Sequence, residues 1–135
     1  WKKYGKIKPV ELLMTIPGVG FLSALTLYSE ICDIKRFSNP EKLAHYAGLV
    51  PKVRQSGEKM RIGRETKQCD KWLKWILIEA SWSFVRFCPE SHLNRVYEDA
   101  CRRKKDKRKA IKIVARKLVN VVWAVWTYEK EFTVK

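Results

Sequence analysis

Nothing in this sequence has the pattern of a membrane span or a secretion signal. No apolar run approaches the ~20 residues that a bilayer requires. The N-terminus lacks the order of charge, apolar stretch and small residues that marks a signal peptide. Histidine is scarce, with only His45 and His92 present. The four cysteines, Cys32, Cys69, Cys88 and Cys101, form no C-x-x-C pair, and their spacing fits no zinc pattern. No metal site is expected in this chain, and the thiols read as buried or incidental groups of a reducing cytoplasm. Internal repeats and low-complexity tracts are also missing.

What is present is a core and an excess of positive charge. The chain has 135 residues, of which 46% are hydrophobic, and includes six Trp, five Tyr and five Phe. That suits one packed domain and argues against wholesale disorder. Lys and Arg number 29 against 14 acids, a net charge of +15. Solubility alone would need a net charge of only about 2–8. Such an excess attracts polyanions through long-range attraction and counterion release. Nucleic acid is the favoured partner, with an acidic membrane surface as the alternative. The first residue is Trp, so the chain is expected to start inside a longer gene product.

The pattern along the chain predicts a mainly α fold of five or six helices with one basic loop. Residues 1–8 read as a linker from a preceding domain, and residues 9–135 as the domain proper. Pro9 suits a first helical turn, and Val10, Leu12, Leu13 and Ile16 then give a short apolar helix. Pro17-Gly18-Val19-Gly20 stops it, and a second helix follows from Phe21 to Cys32. Asn39 before Pro40 starts a short helix to Tyr46, which Gly48 breaks. Residues 52–68 read as a basic loop or small hairpin turning at Gly57. Residues 70–129 form the helical part. Leu73, Ile76, Leu77, Ala80 and Phe84 line one face of a helix that Pro89 ends. Ser91 caps the next helix, to about Lys104, and Asp106 caps a long last helix to about Glu129.

Four constellations could carry function. Residues 9–32 match a helix-hairpin-helix pattern. Gly18 and Gly20 would permit the tight turn, and backbone N–H groups at the start of the second helix would hold a phosphate. Such binding is sequence-independent, and the plain alternative is an αα-hairpin turn. Residues 52–74 hold eight Lys or Arg against three acids, and residues 102–117 hold ten against one. Lys109, Lys112 and Arg116 recur at helical spacing and share a face. Either run alone could be a solvated face. Trp72, Trp75 and Trp82 share one helix and Trp123 and Trp126 another. Their spacing suits a core better than base stacking, with an interface left bare by a missing domain or by a subunit of a homo-oligomer second.

Several motifs occur in one order. Ile16-Pro17-Gly18-Val19-Gly20 is followed by Glu30-Ile31-Cys32-Asp33-Ile34-Lys35-Arg36-Phe37. Leu43-Ala44-His45-Tyr46-Ala47-Gly48-Leu49-Val50-Pro51 comes next. Then come Gln55-Ser56-Gly57, Gly63, Thr66-Lys67, Trp72-Leu73, Ala115-Arg116-Lys117-Leu118 and Trp123. This succession resembles the C-terminal domain of transposases of the IS-one-ten insertion-sequence group, over nearly the whole chain. Cys69, where that family commonly has Gly, and Glu65, where an apolar residue is expected, depart from it.

The resemblance implies a DNA recombinase guided by an element-encoded RNA, at work in a prokaryotic cytoplasm on the nucleoid. It implies a separate N-terminal domain of ribonuclease-H-like fold, whose acidic residues hold magnesium. It makes Ser56 the nucleophile that forms a phosphoserine link to DNA. Arg54, Lys59, Arg61, Arg64 and Lys67 surround Ser56 in sequence, where cations would stabilise a pentavalent phosphate. A serine also needs a general base, and neither histidine lies beside Ser56 in sequence. Without the resemblance, a serine before Gly57 is an ordinary turn residue. The non-enzymatic alternative is a helix-hairpin-helix module that binds DNA or RNA regardless of sequence.

Overall fold

Four short polar side chains set where helices begin. The computed structural model describes residues 8–49 and 70–133. Among them are six α-helices: α1 Lys8–Leu13, α2 Phe21–Ile31, α3 Pro40–Tyr46, α4 Lys71–Phe87, α5 His92–Lys104 and α6 Lys107–Tyr128. A 3-10 turn, Ile34–Arg36, lies between α2 and α3. Asn39, Asp70, Ser91 and Asp106 each stand in extended backbone and accept a hydrogen bond from an N–H in the first turn of α3, α4, α5 and α6. These bonds satisfy donors that a helix start would otherwise leave unpaired.

The stops are equally local. The helix expected to continue to Ile16 ends at Leu13, because Thr15 and Ile16 donate to Leu12 and Leu13, three residues back. The Thr15 hydroxyl also donates to the Leu12 carbonyl, at 2.6 Å. Ile16 to Val19 then form a β-turn closed by Val19 N–H to Ile16 O at 3.0 Å. Gly18 sits third in that turn with φ +87°, and Pro17 before it fixes the preceding φ, the combination of a type II turn. Gly48, at φ +72°, ends α3. Its N–H reaches His45 O and that of Leu49 reaches Ala44 O, the bonding pattern of a Schellman cap.

Helix α6 is the hub. It packs against α1, the 3-10 turn, α3, α4 and α5, and Trp126 stacks on Tyr28 of α2 at 5.9 Å. Its buried face carries Ala110, Ile111, Val114, Ala115, Leu118, Val119, Val122, Val125 and Trp126, the three-and-four spacing expected for one stripe. The same core holds Leu13, Ile16, Leu27, Ile31, Leu43, Leu73, Leu77 and Phe84, all fully buried. Trp123 stays at the edge, and its Nε1–H donates to Phe37 O at 3.0 Å. No buried side-chain N or O among the described residues lacks a partner.

Helices α2 and α4 run antiparallel. The start of α2 meets the end of α4 at Gly18 and Phe84, and Glu30 at the end of α2 meets Asp70 at the start of α4. The Asp70 N–H donates to Tyr46 O at 2.8 Å, so the chain re-enters the described fold beside the end of α3.

Two tryptophans depart from a core placement. Trp126 is buried, and Trp82 and Trp123 are half-buried, but Trp72 and Trp75 stand in solvent. The apolar stripe of α4 is already filled by Leu73, Ile76, Leu77, Ala80 and Phe84, which leaves those two indoles outside it.

Candidate nucleic-acid interface

The cations expected on α6 are displayed. Lys109 and Lys112 are exposed, and Arg116 is half-buried with its guanidinium on Asn120 Oδ1 at 2.9 Å. Lys105, Lys107 and Arg108 are exposed at the same end. The turn from α5 into α6 is short. Lys105 takes a left-handed conformation, and Asp106 then caps α6 through Arg108 N–H at 2.9 Å. The first turn of α6 holds no acid. The Asp106 carboxylate offsets part of the repulsion between these cations and the helix dipole, and a bound anion would offset more. Neutralisation elsewhere on this hairpin is slight. Asp99 is shared by Arg102 at 3.7 Å and Arg103 at 3.4 Å, and all three side chains are exposed, where ion pairs contribute little.

The turn at Gly18 and Gly20 is a separate feature. Gly18 serves packing, because a Cβ there would stand 2.6 Å from Phe84 N and 2.8 Å from Ser83 C. Gly20 is exposed at the start of α2, no side chain caps the helix there, and a Cβ would meet nothing within 4 Å. Gly18 lies against Phe84, which borders the same cavity as Val121 and Val125 near the C-terminal end of α6. The atoms nearest to a Cβ on Gly18 belong to Ser83 and Phe84 of α4, not to Lys109, Lys112 or Arg116. Ser56, Arg54, Lys59, Arg61, Arg64 and Lys67 lie outside the described residues.

Two pairings were not visible in the sequence. Glu30 is half-buried beside Asp70. Burial, then the Asp70 charge and the hydrogen bond between the two, raise its pKa above the ordinary 4.5. Tyr97 is raised likewise by burial, then by its hydrogen bond to Cys101 and the charge of that thiol. A cavity of about 500 Å³ opens between the start of α5, the C-terminal half of α6 and residues 130–133, lined mainly by apolar groups such as Leu93, Val121 and Phe132. Of the expected site residues that are described, Gly18, Gly20, Lys109, Lys112 and Arg116, none lines it. Among the described residues no three His, Cys, Asp or Glu side chains group to hold a metal, and no helix is long and apolar enough to cross a membrane.

By architecture this is a mainly helical domain that gathers uncompensated cations at one helical hairpin. The model of the transposase IS116/IS110/IS902 family matches residues 10–98, about two thirds of the chain, and the chain belongs to that family. The match covers Gly18, Gly20 and residues 54–67 and stops before Lys109, Lys112 and Arg116. The transposase for insertion sequence element IS1111A of Coxiella burnetii is 26% identical over 123 residues, 90% of this chain and 34% of that protein. The insertion element IS900 uncharacterized 42 kDa protein of Mycobacterium paratuberculosis is 28% identical over 127 residues, 92% of this chain and 31% of that protein. The corresponding IS110 protein of Streptomyces coelicolor is 29% identical over 115 residues, 84% of this chain and 28% of that protein. The chain thus spans about a third of the length of the curated relatives it matches. No solved structure matches it.

Proposed function

We propose that the chain is the C-terminal, DNA-handling part of a transposase that cuts and rejoins DNA through a phosphoserine link at Ser56. The observation that carries this reading is the family match, which runs through Gln55-Ser56-Gly57 and its surrounding cations. In the reaction, Ser56 Oγ attacks a DNA phosphorus and the bond from phosphorus to one deoxyribose oxygen breaks. The serine proton passes to a base, and the departing oxygen takes up a proton. A hydroxyl from another strand then attacks the phosphoserine and releases Ser56. The phosphoester is conserved at each step, so joining needs no external energy source. Arg54, Lys59, Arg61, Arg64 and Lys67 offset the charge that builds up at phosphorus.

The remaining parts hold substrate. The α5–α6 cations, with Lys109, Lys112 and Arg116, track a phosphate backbone. The uncapped start of α2 at Gly20 takes a further phosphate, as in a helix-hairpin-helix. Guide RNA, a second copy of the chain and a preceding ribonuclease-H-like domain belong to the same reading. The magnesium implied for that domain finds no fit among the described residues here, where Glu30 and Asp70 offer only two carboxylates.

The test uses the full-length protein with its co-purified RNA, magnesium and labelled DNA spanning an element junction. A covalent protein–DNA band on a denaturing gel, absent in Ser56→Ala, is expected. A band in both proteins would move the attack to another residue. No band in either, with salt-sensitive binding intact, would leave a non-enzymatic binding module.

A further inference from the structure

The first two turns of α4 expose large aromatic surface that the fold does not use. Trp72 is 68% exposed and Trp75 52%, and their indoles meet edge to face with centroids 6.4 Å apart. Leu73, Ile76 and Leu77 beside them are buried, so the core is complete without either ring. Leaving two indoles in water forgoes a large burial gain, which points to a partner.

The charges on these turns indicate what kind of partner. Lys71 is exposed and Lys74 half-buried, and the first acid after the cap is Glu79. Lysine is depleted from the centre of protein–protein interfaces, whereas surfaces that hold single-stranded nucleic acid combine aromatic faces with cations. Residues 52–67, which lead into α4, add six Lys or Arg against two acids.

We propose that Trp72 and Trp75 form a stacking platform for an unpaired base of the DNA strand on which Ser56 acts, with Lys71 and Lys74 holding the flanking phosphates. This rests on the transposase reading above. Stacking tolerates any base, because every base has a π-face. The platform would therefore hold an unpaired strand without reading its sequence.

The test titrates the chain with three labelled strands of equal length: oligothymidylate, the same sugar–phosphate backbone without bases, and oligouridylate. Wild type is expected to prefer oligothymidylate to the abasic strand by about tenfold or more. Trp72→Ala/Trp75→Ala should lose that preference while keeping its affinity for the abasic strand. Trp72→Phe/Trp75→Phe should retain most of it. Equal wild-type affinity for oligothymidylate and the abasic strand overturns the platform, and needs no variant to fold. A preference that survives the alanine pair overturns it as well. A Trp-dependent preference for oligouridylate over oligothymidylate assigns the surface to RNA instead. If wild type self-associates and only the alanine pair is monomeric, with strand binding unchanged, the rings belong to a protein interface. Failure to bind any strand removes the nucleic-acid reading along with the platform, whereas base-independent binding removes the platform alone.

Discussion

Gly18 and Phe84 touch backbone to backbone, so closely that a Cβ on Gly18 would stand 2.6 Å from the Phe84 amide nitrogen. This contact joins the turn before α2 to the end of α4, and the positive φ of Gly18 adds a second constraint. Gly18→Ala should therefore cost about 2–4 kcal/mol through strain and overpacking together. Gly20→Ala, at an open position, should cost less than about 1 kcal/mol. Urea unfolding of the two variants measures the difference, and equal losses would contradict it.

Lys107 sets stability against binding. It opens α6, where a cation opposes the helix dipole. Lys107→Glu should stabilise the fold by about 0.3–1 kcal/mol at low salt and weaken binding to duplex DNA. Thermal melts beside a binding titration check both signs, and a variant that loses stability would contradict the electrostatic account.

Lys109, Lys112 and Arg116 should act through counterions. Replacing all three with Ala should lower the slope of log affinity against log salt by up to about 2.7, at about 0.9 per phosphate. The loss should be similar for unrelated DNA sequences, because phosphate contacts carry no sequence information. An unchanged slope in a salt titration would remove these residues from the interface.

Glu30 gives a pH signature. Its folded pKa is raised, mainly by burial and then by Asp70, so the native state holds the Glu30 proton more tightly than the unfolded chain does. The stability this confers is fully present below the ordinary value of 4.5 and is lost as pH rises through the raised value. Glu30→Gln removes the penalty of the ionised form. Its Tm should exceed that of wild type at neutral pH, and the gap should close on acidification through the carboxylate range. A gap independent of pH would rule out this cause.

Much of the helical frame was legible in the sequence because its signals are local. Asn39, Ser91 and Asp106 cap helices within three residues of themselves, and Gly48 stops α3 through its own φ. The α1 boundary failed because Thr15 bonds back to Leu12, an alternative that an apolar pattern does not reveal. Trp75 lies outside the core because it is two residues from both Leu73 and Leu77, a spacing that puts side chains on opposite helix faces. The contact of Gly18 with Phe84 and the pairing of Glu30 with Asp70 join residues far apart in sequence, where periodicity has no reach. Ser56 was singled out through the motif order, since the residues around it show a basic segment and no base.

The central place of α6 bears on how the chain is made. Every helix that α6 holds together precedes it in the sequence. During synthesis α1 to α5 leave the ribosome before the element that completes their core, and their apolar faces wait for it. A stop codon or frameshift shortly before residue 107 would therefore leave no smaller folded domain, only exposed helices for proteases and chaperones to clear.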